Sequence, residues 1–380
     1  MKIYIDENIP YGKQFFESFG DVITFEGREV TSEKIKDADV LLVRSITKVN
    51  KSLLSLNKKI KFVGTATIGT DHIDLDYLQQ QNIHFSSAPG CNKISVAEYV
   101  LSALLVLAEE QQFDLSTKKV AIVGAGNTGS AVSQCLTALG VSCQLYDPPL
   151  EAAGDPRDFC EFNDVLNADI ISLHVPKVST GSFKTVHLFN HDILEKLNDK
   201  QILVNASRGE VIDNQALLNL ALKQKIPTLV LDVWENEPQI EKALLPFVKI
   251  ATPHIAGYSL DGKVRGTEML YQALCDLLNM TPVYKSSHFM IKENISEIKI
   301  EHPVTSELLK SLVHLIYDVR RDDALFRNKV NELNSFDKMR KNYPERRELS
   351  TLKINNVNNT KQQFDLNEIG FTVNKNKRST

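Results

Sequence analysis

Short apolar runs alternate with amphipathic stretches through the first 110 residues of the chain. Runs of three or four apolar residues bounded by polar or turn residues are typical of buried strands, and the stretches between them have helical spacing. The predicted strands are Ile3–Ile5, Val22–Phe25, Val40–Val43 and Phe62–Gly64, and the predicted helices are Tyr11–Phe19, Leu53–Leu56 and Ser95–Glu110. This alternation predicts a parallel sheet covered by helices on both faces.

A second alternating series begins near residue 110 and continues to about residue 257. Its predicted strands are Val120–Val123, Val141–Tyr146, Ile170–Leu173, Ile202–Asn205, Leu229–Val233 and Ile250–Ala251, and its predicted helices include Gly126–Leu139 and Asn214–Lys223. Six strands with helices between them predict a complete doubly wound domain.

The pattern changes after about Pro282, where the chain becomes polar and rich in lysine and asparagine, with one amphipathic helix predicted at Ser306–Val319. The expected fold is α/β, with two doubly wound parallel-sheet domains (Rossmann-like or flavodoxin-like) and a C-terminal α+β domain. A helix at Gly266–Met280 is expected to return to the first domain. The predicted boundaries are 1–109 with 258–285 for a substrate-binding domain, 110–257 for a nucleotide-binding domain and 286–380 for the C-terminal domain.

Composition narrows the class of protein. The chain has 380 residues, 24% of them charged, and a formal net charge of −4, which argues against a broad nucleic-acid-binding surface. The most apolar helix candidate, Val96–Ala108, contains Glu98 and is too short to span a bilayer. The five cysteines lack the spacing of metal ligands or of a C-x-x-C motif. We therefore expect a cytoplasmic protein with reduced thiols, no metal ion, no nucleic-acid partner and no membrane segment.

A glycine-rich turn joins a predicted strand to a predicted helix. Gly124 allows a tight turn, Gly126 lets a pyrophosphate approach the backbone, and Gly129 lets the helix pack closely on the strand. Asn127 and Thr128 open the helix, whose N-terminus offers free N–H groups and a partial positive charge. The strand–turn–helix context indicates a dinucleotide site rather than a chance match.

Asp147 ends the next predicted strand and favours NAD over NADP. A carboxylate at this position accepts hydrogen bonds from the ribose hydroxyls and repels a 2′-phosphate. Pro148 and Pro149 follow it, and the first arginine after them is Arg157.

Three polar residues follow three of the predicted strands, each within its own motif: Arg208 in N-A-S-R-G, Glu237 in D-V-W-E-N-E-P and His254 in T-P-H-I-A-G. Histidine can accept a hydroxyl proton near neutral pH, a carboxylate can orient its ring, and arginine can bind a substrate carboxylate. Together with a dinucleotide site, this set predicts the oxidation of a 2-hydroxy acid. We expect the other histidines to be structural or ligand-adjacent and to lack such partners: His72, His84, His174 and His187.

At these motifs the chain resembles the D-isomer-specific 2-hydroxyacid dehydrogenase family, over residues 1 to about 285. The resemblance implies that Arg208 and Glu237 are catalytic and that His254 is the acid/base. It also implies cofactor contacts by Asp232 and Gly257 and by the backbone of Ala206, Ser207 and Arg208.

One branch of that family gives a narrower resemblance, at residues 43–50, 64–74, 87–92, 254–263 and 336–348. It implies a phosphorylated four-carbon 2-hydroxy acid as substrate, a place in pyridoxal 5′-phosphate biosynthesis and a homodimer formed through the C-terminal domain. By the same resemblance, Ser45, Thr67 and Tyr258 would contact the substrate. Val175 stands where relatives usually have threonine, and it is retained as a cofactor neighbour through its backbone.

A phosphorylated acid also needs a second cationic or hydroxyl-rich region, away from Arg208. Arg44, Ser45, Thr47 and Lys48 cluster at the end of one predicted strand and could form it. A further hypothesis is that Arg346 and Arg347 add charge to the site of a partner subunit.

Two alternatives stay open at this point. One is another D-2-hydroxyacid dehydrogenase, such as 3-phosphoglycerate dehydrogenase, because spacing alone does not set the chain length of the substrate. The other is an NAD-sensing scaffold that binds the cofactor without turnover.

Overall fold

A computed structural model describes residues 1–291, 294–356 and 364–374. The chain divides into two compact units. The first unit comprises residues 1–92 and 259–292, and the second comprises residues 93–258 and 293–380. The three-domain division predicted from the sequence has different boundaries and stays a prediction, and part of its C-terminal domain lies outside the described residues.

The strands are, in chain order, β1 (Lys2–Asp6), β2 (Asp21–Phe25), β3 (Val40–Val43), β4 (Phe62–Thr65), β5 (His84–Ser86), β6 (Lys119–Val123), β7 (Ser142–Tyr146), β8 (Ile170–Leu173), β9 (Ile202–Asn205), β10 (Thr228–Leu231), β11 (Val248–Ala251), β12 (Glu297–Ile300), β13 (Lys353–Asn356) and β14 (Thr372–Asn374). The α-helices are α1 (Gly12–Phe16), α2 (Leu75–Gln80), α3 (Lys93–Glu110), α4 (Asn127–Thr137), α5 (Pro148–Ala152), α6 (Phe162–Leu166), α7 (His191–Leu194), α8 (Asn214–Ala221), α9 (Leu260–Leu277), α10 (Ser306–Ile316), α11 (Val319–Lys329), α12 (Ser335–Lys341) and α13 (Leu366–Ile369). Within the described residues, short 3₁₀ helices lie at Glu17–Phe19, Leu115–Thr117, Gly209–Val211, Lys242–Phe247, Ser286–His288 and Leu349–Thr351.

The first unit contains one parallel sheet of five strands in the order β2-β1-β3-β4-β5. This is the flavodoxin-like strand order, in which strands are added on one side of β1 and then on the other, so that the switch in strand order lies between β1 and β3. Helix α9 belongs to this unit, and its Val264, Leu270 and Leu274 share an apolar cluster with Phe15 and Phe16. The chain therefore returns to the first unit after the second sheet is complete.

The second unit is built on a parallel sheet of six strands in the order β7-β6-β8-β9-β10-β11. Strand β7 lies on one side of β6, and strands β8 to β11 follow on its other side. The switch in strand order therefore lies between β6 and β8. Ligands bind outside the carboxyl ends of the strands at such a switch. The glycine-rich turn follows β6 directly.

A small parallel sheet in the order β12-β13-β14 belongs to the same unit. Leu309, Leu312 and Val313 of α10 lie in one buried cluster with Val100 and Leu104 of α3. The C-terminal segment thus contributes to the core beneath the six-stranded sheet. The predicted fold class, two doubly wound parallel sheets with a smaller C-terminal sheet, is confirmed.

Helix α3 is apolar on nearly every face, because residues 95–107 are all buried within the second unit. It is a core helix, as expected when a helix is hydrophobic all round in a large domain. Among the residues that the structure describes, none of the helices has both the length and the apolarity needed to cross a membrane.

One predicted helix is wrong and one strand was missed. Residues 53–56 form turns rather than a helix, and hydrogen bonds there, from the Ser55 N–H to the Ser52 carbonyl at 3.3 Å and from the Asn57 N–H to the Leu54 carbonyl at 3.0 Å, span three residues rather than the four of an α-helix. Strand β5 escaped prediction because His84-Phe85-Ser86 is short and only one of its residues is apolar. It is an edge strand and pairs on one side with β4.

Candidate active site

Three neighbouring strands of the six-stranded sheet carry the three polar residues singled out in the sequence. Arg208 follows β9, Glu237 follows β10 and His254 follows β11. Since these strands are parallel and adjacent, their carboxyl ends lie along one edge of the sheet. The fold therefore places all three residues on loops at the edge where doubly wound sheets bind ligands.

Glu237 and His254 form a hydrogen-bonded pair. His254 Nδ1 lies 2.7 Å from Glu237 Oε2, and the other carboxylate oxygen, Oε1, accepts a hydrogen bond from the Trp234 N–H at 2.9 Å. A carboxylate partner assigns the proton of the neutral imidazole to Nδ1. This assignment leaves Nε2 as the nitrogen that can exchange a proton with a ligand.

Charges around Glu237 keep its carboxyl group ionised. Burial by itself would raise the pKa of Glu237, but the charge of His254 and its hydrogen bond lower it. Arg340 and the Trp234 N–H lower the pKa further, and the net shift is downward. An ionised carboxylate at this position both orients the imidazole and stabilises its protonated form.

Asp232 anchors the loop that carries His254. Its carboxylate is 1% exposed and accepts hydrogen bonds from the Thr252 hydroxyl at 2.6 Å and from the Ile255 and Ala256 N–H groups at 2.8 and 2.9 Å. His254 has φ of 58°, an unusual value for a residue other than glycine. The buried carboxylate holds the loop in this conformation, and the expected contact of Asp232 with the cofactor stays a prediction.

The turn around Arg208 is held by Asn205, the last residue of β9. The Asn205 side-chain oxygen accepts hydrogen bonds from the Ser207 N–H and hydroxyl at 3.1 and 2.9 Å, and its amide nitrogen donates to the Arg208 carbonyl at 3.0 Å. A Cβ atom on Gly209 would lie 1.9 Å from the Trp234 carbonyl carbon. The N-A-S-R-G motif is therefore required for the turn as well as for the half-buried guanidinium of Arg208.

The glycine-rich turn has the shape that a dinucleotide requires. A Cβ atom on Gly129 would lie 1.8 Å from the Gly124 carbonyl oxygen, so the close packing of α4 on the turn needs glycine there. A Cβ atom on Gly126 would meet nothing within 4 Å. Gly126 and Asn127 are exposed at the N-terminus of α4, where free N–H groups can donate hydrogen bonds to a pyrophosphate. Thr128 follows them, half-buried, in the first turn of the helix.

Asp147 connects the glycine-rich turn to the end of β7. Its two carboxylate oxygens accept hydrogen bonds from the Ala125 N–H at 2.7 Å and the Leu150 N–H at 3.1 Å, and each retains a lone pair for a ribose hydroxyl. Arg157 lies near the same turn, but its guanidinium pairs with Asp155 at 2.8 Å and donates to the Ala125 carbonyl. This engagement of Arg157 agrees with a preference for NAD. Val175 flanks the turn, since a Cβ on Gly124 would lie 2.8 Å from its side chain.

The predicted substrate residues of the first unit lie at the carboxyl ends of its strands. Arg44 and Ser45 follow β3, and Thr67 follows β4. Ser45 is exposed, whereas the Thr67 hydroxyl bonds Thr65 Oγ1 at 2.7 Å. Thr47 is 2% exposed, and its hydroxyl donates a hydrogen bond to the Gly27 carbonyl. The prediction that Thr47 contributes to a ligand-binding cluster is therefore wrong. The substrate-binding roles of Arg44, Ser45, Thr67 and Tyr258 stay predictions.

The structure contradicts parts of two sequence-based hypotheses. Arg346 is 5% exposed and donates to the Ala256 and Ser95 carbonyls of its own chain at 3.0 and 2.6 Å, so it does not extend towards a partner subunit, whereas the proposed role of Arg347 stays a prediction. His187 has a carboxylate partner after all, since its Nε2 lies 2.6 Å from Glu235 Oε1 and Asp213 is nearby. Both carboxylates also accept backbone N–H groups at the start of α8, which ties this cluster to the fold.

Sequence reasoning missed Arg340, which donates from Nε to the Tyr258 hydroxyl at 3.1 Å. Arg340 lies on α12 and Tyr258 follows the His254 loop, 82 positions earlier in the chain. Neither residue lies in an apolar pattern that would link them. The one signal was the arginine- and lysine-rich stretch at 336–348, which was noted only for its resemblance.

Comparison with known proteins agrees with this architecture. A family model described as "D-isomer specific 2-hydroxyacid dehydrogenase, NAD binding domain" matches residues 105–256, and one described only as a domain of unknown function matches residues 289–370. Among solved structures, D-lactate dehydrogenase from Aquifex aeolicus, complexed with NAD and lactic acid, aligns at TM-score 0.59 and 24% identity. The NAD-bound 3-phosphoglycerate dehydrogenase of Entamoeba histolytica aligns at TM-score 0.62 and 24% identity. Each alignment covers 73% of this chain and 95% of the other.

The fold, the glycine-rich turn and the family model together define the class of NAD-binding 2-hydroxyacid dehydrogenases. Curated relatives narrow the class. An erythronate-4-phosphate dehydrogenase of Psychromonas ingrahamii is 62% identical over 98% of this chain and 97% of its own, and one of Tolumonas auensis is 50% identical over 98% and 99%. The chain belongs to the erythronate-4-phosphate dehydrogenase family.

Proposed function

We propose that this protein oxidises 4-phospho-D-erythronate to (R)-3-hydroxy-2-oxo-4-phosphooxybutanoate with NAD, in pyridoxal 5′-phosphate biosynthesis. The observation that carries the proposal is the Glu237–His254 pair, with His254 Nδ1 2.7 Å from Glu237 Oε2, on loops beside the one that bears Arg208. Membership of the family supports the choice of substrate.

His254 acts as the general base in this proposal. Its Nε2 accepts the proton of the C2 hydroxyl as the C–H bond at C2 breaks and the carbonyl forms. Glu237 holds Nδ1 and stabilises the imidazolium produced, in the manner of the acid in a hydrolytic triad. The protonated imidazole then returns its proton to solvent.

Arg208 binds the carboxylate of the substrate. A guanidinium can make two parallel hydrogen bonds to a carboxylate, which fixes the orientation of C2 relative to the base. The Arg208 guanidinium can also polarise the oxygen on C2, which becomes the carbonyl oxygen. When bound at the glycine-rich turn, with Asp147 at the ribose, NAD⁺ supplies the acceptor for the hydride that leaves C2.

The first experiment replaces the proposed base. His254→Ala should lower kcat by a factor on the order of 10² to 10⁴, because proton transfer from the hydroxyl then depends on water. The dissociation constant of NADH, measured by fluorescence titration, should change little, since the glycine-rich turn is intact. Unaltered turnover in this variant would exclude His254 as the base.

A second experiment tests the substrate. NADH absorbance is followed with 4-phospho-D-erythronate and with 3-phospho-D-glycerate under identical conditions. A higher kcat/KM for the four-carbon acid supports the proposal, whereas a preference for the three-carbon acid favours 3-phosphoglycerate dehydrogenase. Binding of NAD with no turnover of either acid would favour a cofactor-sensing scaffold.

We propose further that the protein is a cytoplasmic homodimer assembled through its C-terminal segment. The proposal rests on the resemblance of residues 336–348 and on the family to which the chain belongs. Light scattering coupled to gel filtration should give about twice the mass of one chain, and a monomer mass at micromolar concentration would contradict it.

A further inference from the structure

We propose that Arg340, together with Tyr258, is the receptor for the phosphate group of the substrate. The inference deepens the proposed function and rests on it, because it assigns the distal anion of the same substrate to a residue from the C-terminal segment. Arg208 and Arg340 would then hold the two anionic ends of one molecule.

The guanidinium of Arg340 is held in one orientation by its surroundings. Its Nε donates to the Tyr258 hydroxyl at 3.1 Å, and its central carbon lies 5.6 Å from the centre of the Tyr258 ring and 6.0 Å from that of Phe336. Tyr258 is itself fixed by an edge-to-face contact with Tyr343, with ring centres 5.8 Å apart. Aromatic rings within cation–π distance help to hold a guanidinium in place without using its terminal donors.

The terminal nitrogens of Arg340 remain open to a ligand. Within residues 1–291, 294–356 and 364–374, the one hydrogen bond made by this side chain is that of Nε, and none of the carboxylates lies within ion-pair distance of it. A half-buried guanidinium without a counter-ion is unusual, since charged groups lose hydration on burial and are normally paired. Two parallel N–H donors on a fixed plane match two oxygens of a phosphate.

The guanidinium of Arg340 stays charged despite its burial. Burial disfavours the charge on Arg340, but Tyr258 and Glu237 stabilise it, so the pKa of the guanidinium is raised above its ordinary value and the group stays charged. Glu237 also faces His254, and Asp337 faces Arg340 from the same helix. Glu237 and Asp337 offset part of the charge on Arg340, but neither of them occupies its terminal donors. Two guanidinium groups, Arg208 and Arg340, can therefore pair with the carboxylate and the phosphate of one substrate.

The positions of the two arginines indicate that Arg340 binds the phosphate and that Arg208 binds the carboxylate. Arg208 belongs to the strand-end loops that carry Glu237 and His254, where the carboxylate adjoining the reacting C2 must lie. Arg340 reaches the site through Tyr258, four residues beyond His254 along the chain, and belongs to a different element, α12. This arrangement suits an anion at the opposite end of a short substrate.

The test compares a phosphorylated and an unphosphorylated ligand of the same length. KM is measured for 4-phospho-D-erythronate, and D-erythronate is measured as a competitive inhibitor. Arg340→Gln should raise KM at least about tenfold, the loss expected when a charge-assisted bidentate contact is removed, and should leave the Ki of D-erythronate within about twofold. Arg340→Lys should recover part of the loss, because the charge returns without the planar fork. Calorimetric titration with 4-phospho-D-erythronate in the absence of NAD should show the same ranking.

Lys338→Gln is the matched control, since Lys338 is exposed on the same helix and loses the same charge. It should leave KM unchanged. The inference is overturned if Arg340→Gln raises KM and the Ki of D-erythronate by the same factor, which would indicate a role in positioning the loop, or if KM does not change. Failure of the wild-type protein to oxidise 4-phospho-D-erythronate would instead count against the proposed function, so the two failures are distinguishable.

Discussion

At the scale of single residues, His174 shows how burial makes stability depend on pH. The side chain is 9% exposed, its Nε2 bonds the Ser172 hydroxyl at 2.8 Å, and burial lowers its pKa to about 3. The folded protein therefore keeps His174 neutral at pH values where the unfolded chain takes up a proton.

This burial predicts a loss of stability below pH 6.5. The folded-state pKa is depressed, so the contribution of His174 is fully present above the unfolded value and is lost as the pH falls towards 3. The slope approaches about 1.4 kcal/mol per pH unit. We expect the free energy of unfolding, measured by urea denaturation, to fall between pH 7 and pH 5. The fall should be about 2 kcal/mol larger in the wild type than in His174→Gln. The surface variant His191→Gln should behave like the wild type, and equal falls in all three proteins would contradict the prediction.

Gly126 and Gly129, three positions apart in the chain, allow cofactor binding to be tested separately from folding. Gly126→Ala adds a methyl group where nothing lies within 4 Å, so the variant should fold normally. It should raise the Kd of NADH about tenfold or more, because the pyrophosphate must approach that backbone. Gly129→Ala would place a carbon 1.8 Å from the Gly124 carbonyl oxygen and should destabilise the fold by about 1–3 kcal/mol. Thermal unfolding and fluorescence titration measure the two effects, and a Gly126→Ala variant with wild-type affinity would argue against a dinucleotide at the turn.

At the scale of elements, the segment after α12 is tied to α3 and to the loop of His254 by Arg346. Its guanidinium lies 3.4 Å from the centre of the Tyr317 ring, donates to the Ala256 and Ser95 carbonyls, and lies 3.9 Å from the buried Glu98. One side chain thus supports the residue two positions after His254.

Removing the buried guanidinium of Arg346 should lower the stability of the fold. Arg346→Met removes the cation that lies 3.9 Å from the buried Glu98 and leaves two carbonyls without this donor, and it should lower the free energy of unfolding by about 3–5 kcal/mol. Arg320→Met is the control, because Arg320 pairs with Asp318 at the surface and should cost no more than about 1 kcal/mol. Urea denaturation measures both. Similar values for the two variants would show that Arg346 contributes no more than a surface pair.

At the scale of the whole molecule, the C-terminal segment is part of a core rather than an appendage. Ile300, Leu309, Leu312 and Leu349 are buried in the same cluster as Val100 of α3. A chain ending after Ile291 would expose the apolar face of α3.

Truncation at that point should therefore prevent folding of the second unit. We expect the shortened chain to aggregate or to lose its cooperative urea transition, because it exposes a contiguous apolar surface. Circular dichroism and gel filtration beside the full-length protein measure this. A soluble, truncated chain with an unchanged Kd for NADH would show that the segment is dispensable for the fold, leaving only its proposed role in assembly.

The sequence by itself determined the strands of both large sheets except β5, and it also determined the glycine-rich turn and the three polar residues at strand ends. Each is encoded locally, because a buried strand needs a short apolar run and a tight turn needs glycine, and because the residue that follows a parallel strand lies at the carboxyl edge of the sheet. Val40–Val43, Ile170–Leu173 and Ile202–Asn205 were predicted with their observed bounds for this reason.

Only the tertiary structure decided which distant residues meet. Arg340 contacts Tyr258 across 82 positions, Arg346 contacts Ala256 across 90 and His187 contacts Glu235 across 48. No periodicity links such residues, since their proximity depends on how segments far apart in the chain pack together. The polar C-terminal segment therefore contains one guanidinium buried in the core, that of Arg346, and another, that of Arg340, beside the candidate active site.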